Sequence, residues 1–202
     1  MLDLILVRHG ETEWNEERRY QGQSDIPLSV SGEQQAALVA EALLGRKFDA
    51  IYSSDLKRAW QTAAAIVKKN NQTVLPETRL REMNFGILEG LTWDEAEEKY
   101  PEILKAWLED YNHPPESGET MDAFSLRVLS FFEELKSQYT NETILLVAHG
   151  GVLREIIRLA LELPAEKLWA LAMDNASISE LFLGKNDYPV LKKLNDTCHL
   201  DT

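Results

Sequence analysis

Leu4-Ile-Leu-Val-Arg-His-Gly10 is a short apolar run that ends in His-Gly, and a near copy, Ile144-Leu-Leu-Val-Ala-His-Gly150, follows much later in the chain. Continuous apolar runs of this length are typical of strands that are buried on both faces of a parallel sheet. The ligand crevice of such a sheet lies at the carboxyl ends of its strands. If both runs belong to one sheet, His9 and His149 lie together at that edge. The matching positions favour a functional pair, although a lone histidine at a strand end is as often structural.

The remaining sequence alternates predicted strands with predicted helices. Strands are predicted at Phe48–Tyr52, Thr73–Leu75, Ile178–Leu183 and Val190–Leu194, in addition to Leu2–Arg8 and Thr143–Ala148. Helices are predicted at Ser31–Leu44, Asp55–Lys69, Met121–Tyr139 and Val152–Leu163. The alternation predicts an α/β fold, a three-layer sandwich with a mainly parallel central sheet and helices on both faces. A length of 202 residues predicts a single domain over residues 1–202.

Residues 82–120 differ in composition from the rest of the chain. They hold eleven acidic residues against two basic ones, Lys99 and Lys105, and so carry −9 of the total formal charge of −13. The segment also holds the large aromatic residues Trp93, Tyr100, Trp107 and Tyr111, besides Phe85. We expect a small, mostly helical insertion over the sheet, whose aromatic residues either pack inside it or stack on a substrate.

The composition excludes several functional classes. A formal net charge of −13 argues against a protein that binds nucleic acid or an anionic membrane. No apolar run approaches the ~18 residues that a membrane-spanning helix needs. Residues 1–20 carry acidic side chains and Arg8, unlike the core of a signal peptide. The single cysteine, Cys198, cannot form an internal disulfide, so a reducing, cytoplasmic location is expected.

Two arginines are predicted at the same edge of the sheet. Arg8 directly precedes His9, and Arg58 lies in the first turns of the helix that follows the second strand. A guanidinium group is a planar fork that matches two phosphate oxygens at once. Gly150-Gly151 opens a helix, whose first N–H groups also favour an anion. A phosphate site is one interpretation of this pattern, and a solvated charge on a helix face is the alternative for Arg58.

The same residues resemble a known family. Arg8-His9-Gly10-Glu11-Thr12, with Trp14-Asn15 and Gln21-Gly22, is similar to the signature of the histidine phosphatase superfamily, in its phosphoglycerate-mutase-like branch. The similarity continues in family order through Tyr52-Ser53-Ser54 with Arg58, Arg81-Glu82-Met-Asn-Phe-Gly86 with Glu89-Gly90, Ser117-Gly118-Glu119-Thr120 and Ala148-His149-Gly150-Gly151. It covers residues 2 to about 183, and five blocks in one order are specific where a lone Arg-His-Gly is not.

The resemblance implies catalysis through a phosphohistidine, with no metal and no cofactor. It assigns His9 as the nucleophile, Glu82 as the proton donor, and Arg8, Arg58 and His149 as the groups that hold the phosphate. It places Asn15, Gln21, Gly22 and Gly150 in the phosphate-binding set. These residue types suit the chemistry. An imidazole nitrogen can form a covalent intermediate, cations stabilise the charge on the transferred group, and a carboxylic acid can protonate the leaving alkoxide.

The acidic, aromatic insertion leads to a prediction about the substrate. A second phosphate or a carboxylate beneath it would be repelled, whereas a neutral, cationic or ring-shaped leaving group could stack on its aromatic residues. Within the family, Glu82-Met-Asn-Phe-Gly86 and Thr197-Cys-His-Leu200 look most similar to α-ribazole-5′-phosphate phosphatases of cobalamin biosynthesis. We therefore expect a phosphatase of α-ribazole-5′-phosphate, with a broad-specificity or phosphoserine phosphatase as the alternative. The Thr197–Leu200 tail is expected either to be frayed or docked, or to fold over the pocket.

Three other functions are less well supported. A phosphoglycerate mutase of this family would carry an additional basic, proline-rich segment that is missing between residues 82 and 120. A metal hydrolase that used His9 and His149 would place its cation beside Arg8, which would repel it. A catalytically inactive binding module would be expected to lack one of the histidines or Glu82. The expected partner is a small phosphorylated metabolite, with no nucleic acid and no membrane, and the chain is expected to be a monomer or a homodimer.

Overall fold

The structure, a computed structural model, describes residues 1–70 and 72–201. Within them one sheet holds strands β1 (Leu2–Arg8), β2 (Ala50–Ser53), β3 (Leu75–Pro76), β4 (Thr143–Ala148), β5 (Ile178–Leu183) and β6 (Pro189–Asp196). Their spatial order is β3-β2-β4-β1-β5-β6. This six-stranded sheet, with helices around it, confirms the predicted α/β fold.

The two strands that end in His-Gly are direct neighbours in the sheet. β1 and β4 pair in parallel, with Leu4 opposite Ile144 and Arg8 opposite Ala148. β2 pairs in parallel with β4, and β3 in parallel with β2. The register of β1 and β4 brings the two histidines that follow them to the same level at the carboxyl edge, as the sequence predicts.

The last two strands depart from the parallel arrangement. β5 runs antiparallel to β1, and β6 runs antiparallel to β5. The sheet is therefore mainly parallel, as predicted, with an antiparallel extension beyond β1. Because β5 is reversed, its amino end lies beside the carboxyl end of β1, and the residues that precede Ile178 reach the same edge as His9.

The helices are α1 (Glu13–Glu16), α2 (Val30–Ala42), α3 (Lys57–Asn70), α4 (Trp93–Lys99), α5 (Pro101–Glu109), α6 (Met121–Gln138) and α7 (Gly150–Ala160). Short 3-10 helices occupy Thr78–Leu80, Gly86–Leu88, Ala165–Ala170, Lys185–Asp187 and Cys198–Leu200. α7 begins at Gly150, directly after the extended residue His149, so Gly150-Gly151 opens this helix as the sequence predicts. Among the described residues, no helix is long and apolar enough to cross a membrane.

Helices cover both faces of the sheet, which explains the continuous apolar runs of its central strands. On one face, α2 and α3 pack against Ile5, Val7, Leu145 and Val147. On the other face, α6 and α7 pack against Leu4, Leu6, Ile144 and Leu146. All of these strand side chains are buried. A strand covered on both sides has no solvent-facing positions, so its apolar residues do not alternate with polar ones.

The acidic insertion has a small core of its own. Thr92 caps α4, and Pro101 occupies the first turn of α5. The core of the insertion consists of Leu88, Ala96, Leu104 and Trp107. Residues 110–120 form turns and loops, so the insertion is helical in its middle only and not over most of its length. The expectation of a single domain over residues 1–202 stays a prediction.

The carboxyl-terminal tail docks on the protein. The ring Nε2 of His199 lies 3.0 Å from the carbonyl oxygen of Ala176. Leu200 packs against the core on the side of α2 and α3. These tail residues do not line the crevice described below.

Candidate active site

A crevice of about 380 Å³ opens at the carboxyl edge of the parallel strands. It is lined by Arg8, His9, Asn15, Arg18, Arg19, Tyr20, Gln21, Gly22, Arg58, Glu82, Phe85 and Trp93. Seven of the nine residues predicted for the site are in this lining. The other two lie behind it: the ring of His149 packs against His9, and a Cβ added at Gly150 would lie 3.5 Å from Arg8 Nε.

His9 is buried and is held in one tautomer. Its Nδ1 lies 2.7 Å from the carbonyl oxygen of Gly10, so Nδ1 carries the ring proton and the lone pair is on Nε2. Burial lowers the pKa of His9 well below 6.5, and the charges of Arg58 and Arg8 lower it further. The ring is therefore neutral at neutral pH, and one nitrogen is free to act as a nucleophile.

Side chains from two other segments hold the turn around His9. Asn175 Nδ2 donates to the carbonyl oxygens of His9 and Gly10, at 3.2 and 3.4 Å. The Gly10 N–H donates to Thr62 Oγ1 at 3.1 Å. The sequence did not predict the role of Asn175. This residue precedes β5, and it reaches the edge at His9 because β5 runs antiparallel to β1.

His149 packs against His9 at the edge of the sheet. The ring centroids are 5.0 Å apart, which confirms the predicted meeting of the two histidines. Arg58 Nε donates to His149 Nδ1 at 3.2 Å, so the ring proton is on Nε2, which donates to Ser54 Oγ at 2.8 Å. Burial lowers the pKa of His149 well below 6.5, and the charge of Arg58 is the next cause. Both ring nitrogens of the neutral His149 are thus engaged inside the protein.

Arg58 is enclosed by protein, so the alternative of a solvated helix-face charge is wrong. Its side chain lies at the start of α3 and is buried. Nη1 donates to the carbonyl oxygen of Ser24 and Nη2 to that of Gly22, both at 2.7 Å. With the bond to His149, three of the five N–H donors are used, and two remain for a ligand in the crevice. Burial lowers the pKa of Arg58 to about 10, so the group stays charged at neutral pH.

Arg8 is the clearest indication of an anion site. Its Nη1 donates to the carbonyl oxygen of Met173 at 2.6 Å, but its buried Nε has no partner among the described residues. Burial lowers the pKa of Arg8 to about 10, so this guanidinium is also charged at neutral pH. An unpaired, buried donor on a charged group is costly and indicates that an acceptor is missing. A tetrahedral oxyanion such as phosphate, bound by Arg8 and Arg58, would supply that acceptor.

Asn15 and Gln21 add uncharged polar groups to the same wall. The Oδ1 of Asn15 accepts hydrogen bonds from Thr12 N, Thr12 Oγ1 and Asn175 Nδ2. Its own Nδ2 is therefore the group that it offers to the crevice. Gln21 is buried at the crevice, and its Oε1 has no partner among the described residues.

Glu82 lies against the first turn of α7. Its Oε1 accepts from Met83 N at 2.9 Å, and its Oε2 accepts from Gly151 N at 3.0 Å. A Cβ at position 151 would lie 2.3 Å from Glu82 Oε1, so a larger residue there would displace the carboxyl group. Since Glu82 also lines the crevice, it is positioned to exchange a proton with a ligand bound there.

A loop fixed by Glu89 supports Arg58. Glu89 Oε2 accepts from the backbone N and the Oγ of Ser24, at 2.8 and 2.6 Å, and Oε1 accepts from Gln23 N at 2.9 Å. Gly22 has φ +50, and a Cβ there would lie 1.9 Å from Glu89 Oε1, so only glycine fits. Glu89 thereby orders the loop whose two carbonyl groups hold Arg58.

The outer wall of the crevice is not the acidic surface that the composition of residues 82–120 predicts. Glu82 is the one carboxylate among the described residues that line it, whereas Arg18 adds positive charge to the lining and Arg19 is paired with Glu17 and Glu95. Glu95, an acidic residue of the insertion, pairs with Arg19 and does not face the crevice. The net charge of a segment does not determine which of its side chains face a cavity.

The aromatic residues of the insertion also divide into two groups. Trp93 lines the crevice and is 44% exposed, so it is available for stacking on a ligand. Trp107 is buried in the core of the insertion, 5.6 Å from the ring of Phe85 and 6.0 Å from that of Tyr20. Tyr20 and Phe85 line the crevice, although sequence reasoning did not single them out.

The arrangement brings together a neutral imidazole, two buried guanidinium groups and a carboxyl group. These are the groups needed to attack, hold and protonate a phosphate ester. No group of three or more His, Cys, Asp or Glu side chains within residues 1–70 and 72–201 is arranged to hold a metal ion.

Comparison with known proteins identifies the family. The model of the histidine phosphatase superfamily (branch 1) matches residues 4–197. Phosphoserine phosphatase 1 from Hydrogenobacter thermophilus is 39% identical over 201 residues, which are 99% of this chain and 95% of that protein. The α-ribazole phosphatase from Shigella flexneri is 34% identical, with a TM-score of 0.89 over 96% of both chains.

A third similar protein is the H9A variant of phosphoserine phosphatase from Entamoeba histolytica, solved in complex with phosphoserine. It is 34% identical and has a TM-score of 0.86, over 99% of this chain and 100% of that one. Both the family match and these similarities cover nearly the whole chain. The chain therefore belongs to branch 1 of the histidine phosphatase superfamily and is a phosphoric monoester hydrolase.

Proposed function

We propose that the chain hydrolyses small phosphorylated metabolites through a covalent phosphohistidine on His9. The observation that carries this proposal is the buried Nε of Arg8, a charged donor that has no acceptor among the described residues and lies in the same site as a neutral imidazole. A phosphate group bound in the crevice would satisfy that donor, and His9 lines the same crevice.

In the first step, His9 Nε2 attacks the phosphorus in line with the ester oxygen. The P–N bond forms as the P–O bond breaks, and Glu82, protonated at this stage, gives its proton to the leaving oxygen. The alcohol departs, and the phosphoryl group stays on His9. In the second step, Glu82 takes a proton from a water molecule, whose oxygen attacks the phosphorus. The P–N bond breaks, inorganic phosphate leaves, and His9 and Glu82 return to their starting states.

Arg8, Arg58 and the Nδ2 of Asn15 stabilise the charge that develops on the oxygens of the transferred group. His149 contributes by holding Arg58 through its Nδ1, while Ser54 fixes its tautomer. A direct bond from His149 to the phosphate, which the sequence suggested, would require it to release Arg58 or Ser54. In this proposal His149 is therefore a positioning residue for Arg58.

A labelling experiment tests the covalent step. Wild-type protein is mixed with a 32P-labelled ester and quenched in alkaline detergent, because a P–N bond survives base and is cleaved by acid. We expect label on the wild type that acid releases, and no label and no turnover on His9→Ala. Turnover by His9→Ala, or an acid-stable label, would contradict the proposal.

Two leaving groups have specific support. Similarity to the α-ribazole phosphatase from Shigella flexneri and the exposed Trp93 favour α-ribazole-5′-phosphate, and with it a place in cobalamin biosynthesis. Similarity to the phosphoserine phosphatases and the exposed Arg18 at the mouth favour phosphoserine. The ratio of kcat/KM for these two substrates, measured beside 3-phosphoglycerate, separates the candidates, and mutase activity would count against both. A cytoplasmic location and a monomeric or homodimeric state stay predictions.

A further inference from the structure

Two consecutive arginines at the mouth of the crevice differ in their surroundings. Arg19 is paired with carboxylates, because its Nε pairs with Glu17 and its Nη1 pairs with Glu95 and donates to the carbonyl oxygen of Gly90. Arg18 is exposed and lines the same crevice. Among the described residues, the side chain of Arg18 makes no hydrogen bond and no ion pair. Arg18 is therefore a free cation at the edge of the candidate active site.

The backbone at Arg18 does not favour a side chain of this kind. Its φ is +57, in the left-handed region, where a Cβ is disfavoured and glycine or asparagine is the usual choice. Strained residues of this sort concentrate at functional sites. Arg18 follows Glu17, the C-cap of α1, and so lies in the short connection between α1 and the crevice residues Tyr20 and Gln21.

Arg18 is not needed to bind the phosphate group, because other arginines of the crevice can do so. Arg58 and the Nε of Arg8 are buried, and these two arginines carry the unused donors that a phosphate group would occupy. The charge of Arg19 is neutralised by its two carboxylate partners. Among the described residues that line the crevice, Arg18 therefore supplies the positive charge that remains for the part of the substrate outside the phosphate pocket.

We propose that Arg18 binds a carboxylate on the leaving group, so that the enzyme prefers phosphorylated carboxylic acids to phosphate esters of alcohols that lack one. This inference rests on the proposed function, since it assigns the outer part of the same crevice. A guanidinium–carboxylate pair at an exposed mouth contributes to binding chiefly by charge-assisted hydrogen bonds. Because the carboxylate is remote from the reacting phosphorus, the pair is equally strong in the ground state and the transition state, and it acts on KM and not on kcat.

The test compares two substrates that differ only in the carboxylate, O-phosphoserine and phosphoethanolamine. Steady-state kcat and KM are measured for the wild type and for Arg18→Asn, in which the new side chain tolerates the positive φ and carries no charge. Lys47→Asn is the matched control, because it removes one positive charge from an exposed residue before β2, at the opposite edge of the sheet.

We expect the wild type to prefer phosphoserine, and Arg18→Asn to raise KM for phosphoserine by about tenfold with kcat unchanged, as for the loss of one charge-assisted hydrogen bond. Phosphoethanolamine kinetics and the Lys47→Asn variant should be unaffected. The preference of the wild type should also decrease at high salt, because an exposed pair is screened. Arg18→Lys should retain part of it.

Equal kinetics of the wild type on both substrates, or the same change on both in Arg18→Asn, would overturn the role of Arg18. Hydrolysis of p-nitrophenyl phosphate, with phosphohistidine labelling, keeps this result separate from the proposed function. If labelling and p-nitrophenyl phosphate hydrolysis persist while the two substrates behave alike, only the inference about Arg18 fails. If the wild type neither hydrolyses p-nitrophenyl phosphate nor takes up label on His9, the proposed function fails as well.

Discussion

Replacing Gly151 by alanine should disable Glu82, the proposed proton donor, without touching His9, the proposed nucleophile. The added Cβ would lie 2.3 Å from Glu82 Oε1, whereas non-bonded heavy atoms rest near ~3.5 Å. The carboxyl group must therefore retreat by about 1 Å. A displacement of that size at a catalytic group can cost about 10²-fold in rate, or about 2.7 kcal/mol of transition-state stabilisation. This also falls within the ~10²–10⁴ that a general acid contributes.

The loss should depend on the leaving group. An alkyl phosphate such as phosphoethanolamine needs a proton on its departing oxygen, so its kcat/KM should fall by about 10²-fold in Gly151→Ala. p-Nitrophenyl phosphate releases a stable anion and should lose far less. Folding should be preserved, because alanine is favoured over glycine within a helix by up to ~1 kcal/mol. Thermal unfolding followed by circular dichroism checks this point.

A double-mutant cycle shows whether Gly151 acts through Glu82. If it does, Gly151→Ala should add little to the loss that Glu82→Gln causes alone, because the two changes remove the same interaction. Fully additive losses, or equal losses on the alkyl and the p-nitrophenyl ester, would refute this reasoning.

Further predictions follow from the buried polar groups and the ligand set. Because the pKa values of His9 and His149 are lowered, their ring signals in NMR spectra should not titrate between about pH 7.5 and 5.5. Only the unfolded chain then binds these protons, so urea unfolding should show stability falling below about pH 6.5, by up to ~1.4 kcal/mol per pH unit for each histidine. A variant with His149→Gln should show a shallower slope, and an unchanged slope would contradict the assignment. Ser54→Ala leaves the buried Nε2–H of His149 unpaired and should cost about 1–3 kcal/mol in the same assay, and no loss would show that another acceptor takes its place. Hydrolysis should be insensitive to EDTA, because guanidinium groups and not a cation hold the phosphate in the proposed mechanism, and inhibition that added metal reverses would exclude that mechanism.

The central part of the fold and most of the site were predictable from the sequence, for a physical reason. Strands buried on both faces are continuously apolar, so β1 and β4 stand out, and their shared His-Gly ends predict the edge at which they meet. The ends of β1 and β2 likewise predict that Arg8, beside His9, and Arg58, near the start of α3, lie at this edge. Local sequence is sufficient where a residue's position is fixed by the end of a strand.

The remaining parts depend on strand direction and on side-chain orientation, which local sequence encodes weakly. Apolar runs are alike in parallel and antiparallel strands, so the reversal of β5 was not predicted, and Asn175 was missed with it. Trp93 and Trp107 belong to one segment, yet one lines the crevice and the other is buried. The spacing of Leu104 and Trp107 on one face of α5 was the available signal for burial.

The insertion's separate core makes it an exchangeable part. α4 and α5 bury their own apolar side chains, so their sequence can diverge, or be grafted from another protein, while the strands keep His9 and the rest of the phosphate pocket in place. Such an exchange would affect the crevice through Tyr20, because its ring packs against Trp107 and Tyr20 also lines the crevice. A graft that preserves an aromatic partner for Tyr20 can therefore change which alcohol the pocket accepts and leave the chemistry at phosphorus as it is.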